Sequence, residues 1–193
     1  MAPPGSAGTP HTHMEFIESG AVTVQKPATS GDAWHRAVPT LRSAAVTLRE
    51  IRIGDARALL PHLADPGVPQ PSRPRPHTLA GMQRFARSAR DRRRRGRLIC
   101  FAIIPDGQKT PVGVIELCRI DANGAAAEFE VIIGRSVRDG GLFRAAVALM
   151  FQFAFGTLGV VRLEARPIVA GQRPVTVAHD RTASRARLRV VKR

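Results

Sequence analysis

AAEFEVIIGRSVRDGGLFRAAVALMFQFAFGTLGVVRLEAR, residues 126–166, carries the pattern from which an architecture can be built. It runs as an apolar strand to Ile133, a glycine turn, a long apolar helix from Leu142 to Leu158 and a second strand ending at Arg166. The turn Arg138-Asp139-Gly140-Gly141-Leu142-Phe143 falls where strand gives way to helix. Two adjacent glycines let the backbone come close to a ligand, and the first helical N–H groups have no partner inside the helix. With the positive end of the helix dipole, those groups form an anion site suited to a phosphate or diphosphate. Apolar residues lie nearly all round the helix, including Leu142, Ala145, Ala146, Leu149 and Phe153, so it is expected to be buried against a sheet. Phe143, Phe151, Phe153 and Phe155 then read as core.

Upstream, Leu98–Ile104 is apolar on both faces and predicts a central strand. Pro105-Asp106-Gly107 begins a hairpin loop, Val112–Cys118 returns, and the Asp121–Gly124 turn leads into Ala126–Ile133. Val46–Ile53 alternates apolar and polar residues and predicts a half-buried strand. Asp55 stands where it would cap a short helix over Ala56–Leu63, and Asp65-Pro66 ends that helix. Thr78 caps a second helix, whose apolar face is Leu79, Met82, Phe85, Ala86 and Ala89. Arginines at 84, 87, 90 and 92–95 are assigned to its other face and last turn.

This order resembles the acetyl-CoA-binding core of the GNAT N-acetyltransferases. The strand–(R/Q)xxGx(G/A)–helix–strand pattern carries the resemblance, with Arg138 and Gly141 matching and Phe143 standing where a small residue is usual. The wording AEFEVIIG…FAFGTLGVVRLEAR, with the TLRxxRxxDA opening, is similar to their ribosomal-protein N-acetyltransferase-like branch. The resemblance covers Ala45 to Arg166. It implies an α/β (α+β) fold with a mixed, mostly antiparallel central sheet flanked by helices.

It also implies a chemistry, in which acetyl passes from acetyl-CoA to a primary amine, either a protein N-terminus or a small amine. The strand Ala126–Ile133 would part from Val161–Arg166, and the pantetheine arm would pair with backbone near Val131, Ile132 and Ile133. The diphosphate would rest on Arg138, Asp139, Gly140, Gly141, Leu142 and Phe143, with Asp139 adding an unfavourable negative charge. Glu128 and Glu130 share one strand face and are the candidate bases, and family position favours Glu128. A surface carboxylate paired with an arginine is the other reading of Glu128. Glu164 reads as a structural or acceptor-side charge. The chain has no tyrosine, so the tyrosine acid of many relatives has no counterpart.

At 193 residues and 44% hydrophobic, the chain suits one domain with extensions. Residues 1–42 are rich in Pro, Gly, Ser, Thr and Ala and read as a flexible leader, with Trp34 as its one possible anchor. His11 and His13 belong to that segment and are not assigned to a metal. No secretory signal is visible, no apolar run approaches the roughly 18 residues of a membrane span, and Cys100 and Cys118 read as buried thiols. A cytoplasmic location follows.

The net charge of +15 is concentrated. Ten arginines against one aspartate lie between Arg73 and Arg97, and seven basic residues against one aspartate lie between Gly171 and Arg193. Together they account for the whole excess. One reading is a patch for RNA, the ribosome or an acidic partner, which would suit a catalytically inactive scaffold of the same fold. The other is a solvated face; no aromatic residues interleave with the arginines of the second helix as a base-stacking surface requires.

After Arg166 the resemblance ends. Pro167 and Pro174 discourage an early helix, and residues 167–193 read as a basic, divergent tail. The last helix and strands of the fold are expected to be missing or replaced, leaving the strand at Val161–Arg166 with an open edge.

Overall fold

Leu98–Pro105 is apolar at almost every position because both of its faces are covered. In the computed structural model, which describes residues 33–65, 76–121, 125–134, 141–165, 175–179 and 188–191, this segment is strand β3. The remaining strands are β1 (Leu41–Arg42), β2 (Val46–Glu50), β4 (Gly113–Cys118), β5 (Ala126–Ile133), β6 (Arg162–Ala165), β7 (Val175–His179) and β8 (Leu188–Val191). They form one sheet in chain order, β1 to β8. Every neighbouring pair is antiparallel except β5 and β6.

A parallel pair needs a crossover. Helix α3 (Leu142–Phe151) supplies it and widens into a π-helical segment over Gln152–Thr157 before β6. It covers one face of the sheet, meeting Phe101, Ile103, Ile115, Leu117, Ala127, Phe129 and Leu163. Two edge-on ring pairs lock this layer: Phe101 with Phe153 at 5.4 Å and Phe129 with Phe151 at 5.1 Å.

Helices α1 (Ala56–Leu63) and α2 (Leu79–Arg94) cover the other face, over Leu98, Cys100, Val114, Cys118 and Ile132. The two sets alternate along each strand, as strand geometry requires. Thr78 caps α2 as expected, its Oγ1 accepting from the Gly81 N–H at 3.1 Å.

Five sequence expectations are corrected. The first strand stops at Glu50, and Ile53–Asp55 forms a 3-10 turn. Asp55 makes no side-chain cap to α1; its carboxylate accepts from the Arg49 guanidinium at 2.7 and 2.8 Å and from the Arg52 N–H at 2.8 Å. That hydrogen bond raises the Arg49 pKa above its ordinary value, against the opposing effect of burial.

Arg93, assigned to the solvated face of α2, is only 3% exposed. It donates to Glu50 at 2.5 Å, to the Trp34 carbonyl at 3.0 Å and to the His35 carbonyl. Trp34 and Val38 in turn pack against the α3-side core, so residues 33–42, which the sequence reading places in the leader, are tied to the sheet. Lastly, β6 has no open edge, because β7 pairs along it and β8 pairs on β7. Residues 166–174, where the missing helix would fall, lie outside the described set.

Candidate active site

The parallel register of β5 with β6 runs from Ala126↔Arg162 to Phe129↔Ala165. Beyond it, β5 continues through Val131, Ile132 and Ile133, paired on its other side with Ile115, Val114 and Gly113 of β4. The β6-facing edge of those three residues is paired with no described residue. Phe129 marks the last paired position, and its ring is braced against Phe151 of α3. The side chains of Ile132 and Ile133 are buried in opposite layers.

Gly141 heads α3 with φ 78 and ψ −13, a left-handed conformation that favours glycine. A Cβ built there would meet no atom of the described residues within 4 Å. Leu142 is buried, and Phe143 is partly buried and packs against the core. Arg138, Asp139 and Gly140 lie outside the described residues.

Glu128 sits on β5 between Cys118 of β4 and Glu164 of β6. Its Oε1 accepts from Arg119 Nη1 at 2.8 Å, so the expected arginine partner exists; the arginine side chain is 68% exposed, which weakens the attraction by solvent screening. Arg119 has φ 49 and is the one non-glycine residue with positive φ among the described residues. Such backbone costs about 1–3 kcal/mol, so the surrounding structure must hold it in place. Glu164 lies 3.5 Å from Arg162.

Sequence reasoning missed three groups. Glu116 is 3% exposed and stands directly opposite Glu130, so Glu116, Glu128, Glu130 and Glu164 share the sheet face that α1 and α2 cover. Its signal was available: a carboxylate within the otherwise apolar run Val112–Cys118. Arg119, the partner of Glu128, carried no local signal. His62, in the last turn of α1, sets its Nδ1 2.5 Å from where a Gly134 side chain would begin. Burial pushes the His62 pKa down, which favours a neutral ring at neutral pH.

Residues 45–178 match a family model described as an acetyltransferase (GNAT) domain. The chain belongs to the GNAT acetyltransferase family. The match runs past Arg166 into β7, in agreement with the continued sheet. Among solved structures, this GNAT chain is similar to a putative ribosomal-protein-serine acetyltransferase from Vibrio cholerae, with TM-score 0.59 and 17% identity over 65% of this chain and 72% of that one. It is similar to Mycobacterium smegmatis RimJ in complex with CoA-disulfide, with TM-score 0.56 and 23% identity over 71% and 64%. A Bacillus anthracis GNAT acetyltransferase gives 0.56 and 15% over 65% and 72%. Comparison with curated proteins finds no match. At these identities the structures establish a shared fold, and the family establishes acetyl transfer as its general chemistry. No helix among the described residues is long and apolar enough to cross a membrane.

Proposed function

We propose that this GNAT chain binds acetyl-CoA and transfers its acetyl group to a primary amine, either a protein N-terminus or a small amine. The observation that carries the reading is the left-handed Gly141 at the head of α3, next in sequence to the turn that follows β5. Acetyl-CoA supplies an activated acyl group as its thioester. The α3 N-terminus, with Arg138, Asp139, Gly140, Gly141, Leu142 and Phe143 as its turn, would hold the diphosphate through backbone N–H groups. The backbone of Val131, Ile132 and Ile133 would pair with the pantetheine arm as an added strand-like edge.

Glu128 is the proposed base. An alkyl ammonium must lose a proton before its nitrogen can attack, and a carboxylate within reach, directly or through one water, takes it. The amine nitrogen then gains the acetyl group as the carbon–sulfur bond breaks, and a proton returns to the leaving thiolate. The carboxylates of Glu116, Glu130 and Glu164 on the same face favour a cationic acceptor over an anionic one. The printed title of the Vibrio cholerae neighbour supports a protein acceptor, and the CoA-disulfide complex of the RimJ neighbour supports the donor. A cytoplasmic setting accords with the two buried free cysteines, Cys100 and Cys118.

Isothermal titration with acetyl-CoA tests the reading. Wild type should bind, and Gly141→Glu should lose at least about tenfold in affinity, because a carboxylate side chain then faces the anion. Absence of binding by the wild type, or equal binding by the variant, overturns it.

A further inference from the structure

The proposed acetyl transfer makes no use of the arginine face of α2, and the structure separates its members. Arg93 points inward, in phase with Met82, Ala86 and Ala89. Arg90 lies 4.0 Å from Glu50, and Arg94 lies 3.8 Å from Asp91. Arg84, Arg87, Arg95 and Arg97 are exposed and make no ion pair among the described residues. Asp91 is the one acid between Leu79 and Arg97.

A solubilising surface normally mixes both signs, whereas this one sets exposed Arg84, Arg87, Arg90, Arg94, Arg95 and Arg97 against Asp91 as its one acid. Cations are favoured at a helix C-terminus, but that effect is confined to the last turn. It gives no reason for Arg84 and Arg87, which lie well before it. The line from Arg84 to Arg95 extends about 16 Å along the helix axis at 1.5 Å per residue. Each strand of a duplex carries one phosphate per roughly 3.4 Å of its axis, so several phosphates lie within that reach. Arg36 is also exposed and adjoins His35, whose carbonyl Arg93 holds, so it extends the positive surface at the C-terminal end of α2.

We infer that the solvent face of α2 is a docking surface for the sugar-phosphate backbone of a nucleic-acid duplex. Phe85, the aromatic residue of α2, is part of the packing against the α1 and β-sheet core. The helix therefore offers no stacking platform for unpaired bases, and its contacts are electrostatic and independent of sequence. This surface lies on the opposite side of α2 from Met82, Ala86 and Ala89, which pack toward the sheet carrying Glu128. Docking and acetyl-CoA binding are thus separable.

Fluorescence anisotropy of the full chain with labelled RNA and DNA duplexes of about 20 base pairs, from about 50 to 200 mM salt, tests the inference. The variant is Arg84→Gln/Arg87→Gln/Arg95→Gln, with thermal melting and acetyl-CoA titration as controls. Wild type should bind at least one duplex, and the arms identify whether RNA or DNA is preferred. The variant should lose at least about tenfold in affinity at low salt, and its slope of log K against log salt should be shallower by about 2–3. Melting and acetyl-CoA affinity should not change. Three results overturn the inference: no duplex binding by the wild type, an unchanged slope in the variant, or equal competition by poly-glutamate at matched charge. The last would assign the face to an acidic protein.

Discussion

Arg93 of α2 and Glu50 of β2, 43 positions apart in the chain, meet at 2.5 Å beneath the surface. The same guanidinium holds the carbonyls of Trp34 and His35, so a single cation joins helix, sheet and the segment preceding β1. Arg93→Ala would leave Glu50 and two carbonyls without this donor, and a loss of about 3 kcal/mol is expected. Arg84→Ala, on the exposed face, should change stability by less than about 0.5 kcal/mol. Urea unfolding measures both, and equal losses would refute the distinction between them.

Glu128 and Glu164 face each other across the parallel pair, yet only Glu128 is proposed as the base. Glu128→Gln should lower kcat by about 10²–10⁴ while leaving acetyl-CoA affinity unaltered. Glu164→Gln should retain most of the rate. Steady-state kinetics with an amine acceptor and titration with acetyl-CoA read the two effects. A rate loss as large for Glu164→Gln as for Glu128→Gln would displace Glu128 from its role.

His62 gives a pH signature. Its pKa in the folded chain is depressed by burial below the ordinary 6.5, so the unfolded chain binds the proton more readily. The neutral ring's fit is fully present above the ordinary pKa, and stability is lost as pH falls below it toward the folded value. The melting temperature should therefore fall on acidification from neutral pH, and His62→Gln should show a smaller fall over that window. Identical pH profiles for wild type and variant would exclude the effect.

Much of the scaffold was legible. The all-apolar Leu98–Ile104 run specified a central strand, Thr78 specified a helix start, and the glycine pair marked where α3 begins. The helices flanking the sheet were implied by the family resemblance. Arg93 was misread even though it stands 11, 7 and 4 residues after Met82, Ala86 and Ala89, in phase with the buried stripe. Residue type outweighed phase, because a guanidinium is buried only when acceptors converge on it. Those acceptors come from Glu50, Trp34 and His35, and no local pattern announces their arrival.

The same division holds across the molecule. The sequence by itself determined strands β2 to β6 and the three helices, because backbone hydrogen bonding and side-chain alternation act over a few neighbouring residues. Only the tertiary structure decided that Arg119 reaches Glu128, that Glu116 lies opposite Glu130, that His62 abuts Gly134 and that β7 pairs along β6. Each of these contacts joins separate elements, and its energy exists only once packing and register have brought the partners together.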